Sequence, residues 1–194
     1  HGSELRRAIQ DVNGDDMLSY LARNQKEVLH RVNLENKSVM KAIRIRNEVV
    51  LIKLLILDNE LILSFPQLMN PSREVSKAVT DFVDEWFDLS RDLQPFYDLA
   101  YRDEILKEVV LAHKGLRIIA VEELFEALSW SIMGQQISLH VAYGLKQKLV
   151  TTYGESIVHD NIEYWLFPTA QQIDSLTVED LRKRSFTQRK AEYI

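Results

Sequence analysis

A glycine and two glutamines interrupt one of the most apolar stretches of the chain, Leu124-Phe125-Glu126-Ala127-Leu128-Ser129-Trp130-Ser131-Ile132-Met133-Gly134-Gln135-Gln136-Ile137-Ser138. Glycine costs a helix interior about 1 kcal/mol against alanine, so its place in this run asks for a use. Two uses fit the residue types. The break is a tight helix crossing whose glutamines bond loop backbone, or it is a functional edge that exposes two amides able both to donate and to accept. A second candidate lies between residues 182 and 190, where Arg182, Lys183, Arg184, Arg189 and Lys190 occur with no acid among them. Such a run reads either as a solvated helix face or as a local patch for a polyanion.

Other chemistries find little support. His30, His113, His140 and His159 stand without the i,i+4 pairing or carboxylate spacing of a metal site on one helix. The chain has six glycines, and Gly115, Gly134, Gly144 and Gly154 form neither a dinucleotide fingerprint nor a phosphate loop. No metal and no organic cofactor is expected. The absence of cysteine removes disulfides, thiolate metal sites and cysteine nucleophiles, and suits a reducing compartment. No stretch approaches the roughly 20 apolar residues that span a bilayer, so a cytoplasmic protein with no membrane partner is expected. The formal net charge of -5 excludes a surface that is basic all over. Any nucleic acid must be held by a local patch.

The elements that position these residues change character along the chain. With 194 residues, 46% of them hydrophobic, one domain or two small ones can bury a core. A short helix over 15–24 is followed by strand patterns at 27–34, 39–46, 49–57 and 61–65, separated by polar turns at 35–37, 47–48 and 58–60. Met40, Ala42, Ile43 and Ile45 are interleaved with Lys41, Arg44 and Arg46, which predicts a sheet with one wet face. Asn70 then caps a helix with Pro71 in its first turn, and Val75, Val79, Phe82, Val83 and Trp86 recur at helical spacing to cover the dry face. Beyond residue 89 the pattern predicts helices only, at 93–101, 104–111, 122–153, 169–175 and 177–184. Capping boxes, Thr169 with Gln172 and Thr177 with Asp180, mark the later starts. The expected fold is therefore an α+β amino-terminal domain, an antiparallel sheet with covering helices, over 1–89, and an all-α domain over 90–194.

Several ordered segments resemble a known family. Phe125-Glu126-Ala127-Leu128 through Met133-Gly134-Gln135-Gln136-Ile137-Ser138, with Ala142-Tyr143 and Lys146 after it, is similar to the start of the helical domain in DNA-3-methyladenine glycosylases II, members of the helix-hairpin-helix glycosylase superfamily. Phe87-Asp88-Leu89, Gly115-Leu116-Arg117, Tyr153-Gly154-Glu155, Phe167-Pro168-Thr169, Leu181-Arg182 and Arg189-Lys190-Ala191-Glu192-Tyr193-Ile194 agree in order and spacing, so the resemblance covers nearly the whole chain.

That resemblance implies a DNA repair enzyme of base excision, which flips a damaged base out of duplex DNA and hydrolyses its N-glycosidic bond. The family's intercalating residue stands two places after the motif glycine, at Gln136 here. A glutamine there suits a plug that hydrogen-bonds the orphaned base, unlike the apolar wedge of some members. Gln135, Ser138, Arg189 and Lys190 are the other expected DNA contacts. Met17-Leu18-Ser19-Tyr20-Leu21-Ala22-Arg23 resembles the family's early helix, which assigns Tyr20, with Trp130, to the base pocket. An alkylated purine is cationic, and a ring face attracts it by roughly 0.5–2 kcal/mol. By residue pattern alone Tyr20 reads as a packed amphipathic residue, and only the resemblance gives it a pocket role. The family's catalytic aspartate follows a helix-hairpin-helix, and none of the aspartates present has that context. No catalytic residue is assigned, the aspartate is expected beyond Ile194, and this chain alone is expected to be inactive. The partner is damaged double-stranded DNA, met by a monomeric, bacterial-type cytoplasmic protein associated with the nucleoid in use. Two other readings stay open: an oxidised-purine glycosylase of the same superfamily, with a lysine nucleophile, and a catalytically inert DNA-binding or interaction module.

Overall fold

Polar turns and β-branched runs build the first half. The computed structural model describes residues 4–121 and 123–194. It begins with β1 (Glu4–Ala8), α1 (Gly14–Leu21) and β2 (Arg31–Asn33), followed by β3 (Ser38–Ile45), β4 (Glu48–Ile56) and β5 (Glu60–Ser64). Among the described residues these strands form one five-stranded sheet in the order β1-β5-β4-β3-β2, with β5 antiparallel to both β1 and β4. Among the described residues eight helices follow: α2 (Arg73–Trp86), α3 (Gln94–Ala100), α4 (Glu104–Ala112), α5 (Leu124–Met133), α6 (Leu139–Tyr153), α7 (Ala170–Asp174), α8 (Val178–Arg182) and α9 (Gln188–Tyr193). A hairpin, β6 (Ser156–His159) with β7 (Ile162–Trp165), stands between α6 and α7. No described helix is long and apolar enough to cross a membrane.

Contacts divide the chain into two compact units. The first holds the described residues up to Leu21, with 32–39 and 53–120; the second holds 22–31, 40–52 and the described part of 121–194. In the first unit Met17, Leu18 and Leu21 of α1 and Val79, Val83 and Trp86 of α2 are buried, as are Leu54 and Ile56 of β4. A Cβ at Gly14 would stand 2.8 Å from the Ile56 carbonyl oxygen, so α1 starts where β4 leaves no room for a side chain. Arg117, 6% exposed, donates to the carbonyls of Asp88 and Arg91 (2.7 Å each), Gln10 and Asp11 (3.2 Å each). One guanidinium thereby ties three loop segments through backbone oxygens, its fixed fork of five donors suiting several acceptors at once. The second unit buries Met133, Leu145, Leu149, Phe167, Leu181 and Phe186 in one cluster, and Ala42, Leu51, Tyr164 and Leu166 in another.

The structure departs from the sequence reading in identifiable places. Residues 27–30 are not strand; Glu27 instead accepts the amides of Val28 and Leu29 (3.0 and 2.9 Å), which closes a local turn and shortens β2. The wet sheet face is not found on the central strands. No residue of β3 is exposed, and the hairpin residues Ile157, Tyr164 and Leu166 pack on Met40, Ala42, Val49 and Leu51. The second half is thus not all-helical. Ser72 caps α2, its hydroxyl accepting from Val75 N at 3.1 Å, so Asn70 and Pro71 lie before the helix. The helix expected over 122–153 is two helices, α5 and α6; its expected first residue, Glu122, lies outside the described residues. Both capping boxes are present.

Candidate nucleic-acid interface

The connection from α5 to α6 is a short turn whose geometry is set by three devices, all within the second unit. Met133, wholly buried, anchors the end of α5. Ile137 packs against the same cluster of buried residues. Ser138 caps α6, its hydroxyl accepting from Val141 N at 3.4 Å. Between these anchors Gln135 and Gln136 are exposed, with Ser138 beside them.

The strain lies at the glutamine, not at the glycine. Gly134 has φ -76°, open to any residue, and a Cβ there would touch Trp130 O at an ordinary 3.4 Å. Gln136 has φ 58°. A left-handed residue with a Cβ costs roughly 1–2 kcal/mol, so the surroundings must hold it. Just before it, Lys190 of α9 makes two bonds to the turn: its Nζ donates to Met133 O at 2.7 Å and to Gln135 O at 2.8 Å. The last carbonyls of a helix have no partner within it and form the negative end of its dipole, and an ammonium satisfies both needs. Lys190 is 8% exposed, and burial lowers its pKa from the ordinary lysine value.

The basic run therefore does not present one face. Lys190 points into the unit, while Arg182 pairs with Glu179 (3.4 Å) and Lys183 with Asp180 (4.0 Å). Arg184 and Arg189 are exposed, and neither pairs with a carboxylate among the described residues.

Trp130 occupies a buried charged cluster that sequence reasoning missed. Lys146 Nζ lies 3.2 Å from Glu27 Oε2, 3.5 Å from Glu126 Oε1 and 5.0 Å from the Trp130 ring centroid, with Tyr143 4.9 Å from Trp130 centre to centre. A lysine cation and a second ring already border the indole. Burial would raise the Glu27 pKa, but Lys146, His30 and the Leu29 amide hold it at about 2. The signal that could have found this cluster is Lys146 itself, at a core position between Leu145 and Leu149. Tyr20, on α1 in the first unit, is 45% exposed. The Trp130 ring is shared with Lys146. The structure joins Gln135, Gln136, Ser138 and Lys190 in one turn, with Arg189 next to Lys190 on α9, and places Tyr20 in the other unit.

Comparison with known proteins finds matches along most of the chain. Residues 19–128 match the family described as "8-oxoguanine DNA glycosylase, N-terminal domain", and residues 129–194 match "HhH-GPD superfamily base excision DNA repair protein". The chain is 37% identical over 190 residues to a DNA-3-methyladenine glycosylase of Bacillus subtilis, an alignment covering 96% of this chain and 61% of that protein. A 3-methyladenine DNA-glycosylase from Archaeoglobus fulgidus superposes with a TM-score of 0.83 at 22% identity, over 97% of this chain and 64% of that one. An 8-oxoguanine glycosylase/lyase of Clostridium acetobutylicum, solved with double-stranded DNA, superposes with a TM-score of 0.68 at 17% identity, over 97% and 62%. The chain thus spans less than two thirds of the length of each of these relatives. By its two matched segments, which together run from residue 19 to residue 194, the chain belongs to the HhH-GPD superfamily of base excision DNA repair proteins, with an amino-terminal domain of the 8-oxoguanine DNA glycosylase type.

Proposed function

We propose that the protein carrying this chain is a DNA N-glycosylase that flips alkylated bases of the 3-methyladenine type out of duplex DNA and releases them by hydrolysis. The observation that carries this reading is the exposed Gln135-Gln136 turn, held in a left-handed geometry at the head of α6. Everting a nucleotide costs a few kcal/mol and leaves a gap in the stack. Gln136 fills that gap from the minor groove, and its amide both donates to and accepts from the orphaned base. Gln135, Ser138 and Arg189 contact the flanking backbone, and Tyr20 offers a ring face to the cationic base. The named relative at 37% identity favours alkylated bases. Support for the division at residue 89 is that the five-stranded sheet and the helix after it, α2, end before that point, although the hairpin of β6 and β7 lies beyond it and the contact units divide the chain differently. Monomeric action in the cytoplasm, on nucleoid DNA, completes the reading.

No residue among these 194 is assigned to the chemical step, so this chain alone should bind damaged duplex without releasing bases. Single-turnover incubation with duplex containing 3-methyladenine or 7-methylguanine tests both parts. Base release by the protein carrying this chain supports the reading, and release by the 194 residues alone overturns the placement of the catalytic group. The match of residues 19–128 to an 8-oxoguanine glycosylase domain favours a second reading, excision of oxidised purines by a lysine nucleophile. Borohydride trapping on 8-oxoguanine duplex gives a covalent complex only in that case.

A further inference from the structure

Lys190 sits in a basic run, yet its ammonium is turned away from solvent and committed to two backbone carbonyls of the glutamine turn. We propose that Lys190 is a positioning residue, which acts through Gln136 by pinning the Met133 and Gln135 carbonyls so that the next residue is held left-handed with its side chain outward. This rests on the reading of Gln136 as the plug. Three observations converge on it. The two carbonyls lie on either side of Gly134, so one cation fixes the backbone on both sides of the helix end. The next peptide enters the left-handed region at φ 58°, where a glutamine does not stay without external hold. The lysine stands on α9, whose own start is capped by Thr187 and whose Ala191 is buried in the core that receives Ile137, so both ends of the strap share one packed base. An ammonium has three donors and no acceptor, and two of them are spent here at 2.7 and 2.8 Å. A phosphate would have to compete for a group that is 8% exposed. Arg189, its exposed neighbour, is the cation of this helix left to meet phosphate.

The test compares Q136A, K190M, K190R, R189A and the double variant Q136A/K190M in the intact protein. Fluorescence anisotropy measures affinity for a duplex with a tetrahydrofuran abasic analogue and for the undamaged duplex, across a salt series, with circular dichroism as the check on folding. K190M should lose the preference for the abasic analogue by about tenfold, as Q136A does, while its affinity for undamaged duplex and its salt slope stay at the wild-type values. The double variant should lose no more than Q136A alone, because both remove one function. K190R, which still donates to two carbonyls, should recover most of the preference. If K190M fails to fold, K190Q, which keeps an uncharged amide donor on a shorter side chain, should show an intermediate loss. A flattened salt slope in K190M, additive losses in the double variant, or an unchanged preference would each overturn the proposal. An effect of Q136A without an effect of K190M sinks the positioning role alone, whereas a silent Q136A sinks the plug reading and this inference with it.

Discussion

Glu27, Glu126 and Lys146 share a space that water scarcely reaches, and the lysine balances only one of the two carboxylates. Glu27 is held at a pKa of about 2 against a reference of 4.5, so its charged form is favoured in the folded chain. A depressed carboxylate stabilises fully above its unfolded pKa and loses that contribution as pH falls through the folded one. The shift corresponds to about 3 kcal/mol at neutral pH, lost between roughly pH 4.5 and 2. E27Q should unfold at lower urea concentration than wild type at pH 7, and the difference should shrink as both are taken below pH 4. Arg117 serves the first unit in a different way, through four carbonyls and no acid. R117M removes the donors and leaves buried acceptors behind, which should cost about 3 kcal/mol or more, read as a fall in the urea midpoint with unchanged slope. Neither role was legible beforehand. A lysine or arginine code letter carries no sign of whether its head points to water, and Lys190 was read by its charge when its burial decides its use.

At the scale of elements, legibility followed the strength of the local signal. The strands β3, β4 and β5 were read within a residue or two of their observed ends, because apolar runs between short polar turns leave few alternatives. β1 gave no signal: Glu4, Arg6 and Arg7 belong to an edge strand that is mostly exposed and, among the described residues, pairs with β5 alone. The break between α5 and α6 was seen as a glycine inside one helix, since apolar periodicity continues on both sides, and nothing in the residue types marked Gln136 as the one that leaves the helical region. The hairpin of β6 and β7 was missed although Asp160 and Asn161, both with positive φ, form the two-residue turn that such a pair favours. Asn-Gly would have been the stronger signal. N161G should accordingly stabilise the hairpin by about 0.5–1 kcal/mol, since glycine adopts φ near 60° without the Cβ penalty. A rise in the thermal midpoint checks it. N161V at the same position should lower that midpoint, because a β-branched residue is an outlier there.

At the scale of the 194 residues, a formal net charge of -5 makes the proposed association with DNA depend on where the positive charge is placed. With Lys190 turned inward and Arg182 and Lys183 paired with Glu179 and Asp180, few cations of the run remain to displace counterions. R189A should reduce the slope of log affinity against log salt by about 1, and the same change at Lys190 should leave it where it was. The candidate interface was legible as a place, through Gly134 and the two glutamines, but its working parts were not, because each depends on backbone conformation and on a lysine 54 positions after Gln136 in the chain.

The division of the chain into contact units has a consequence for how such a sequence is inherited. The two family matches meet between residues 128 and 129, as though the gene were two modules joined end to end. The polypeptide does not respect that seam: residues 22–31 and 40–52 belong by contact with the carboxy-terminal unit, and Glu27, Ala42 and Leu51 supply its charged cluster and part of its apolar interior. Recombination at 128/129 would exchange pieces whose interiors are finished by the other piece. A chimaera that takes residues 129–194 from a relative should therefore unfold at a lower urea concentration than the parent, unless the partners at Glu27, Ala42 and Leu51 are exchanged with it.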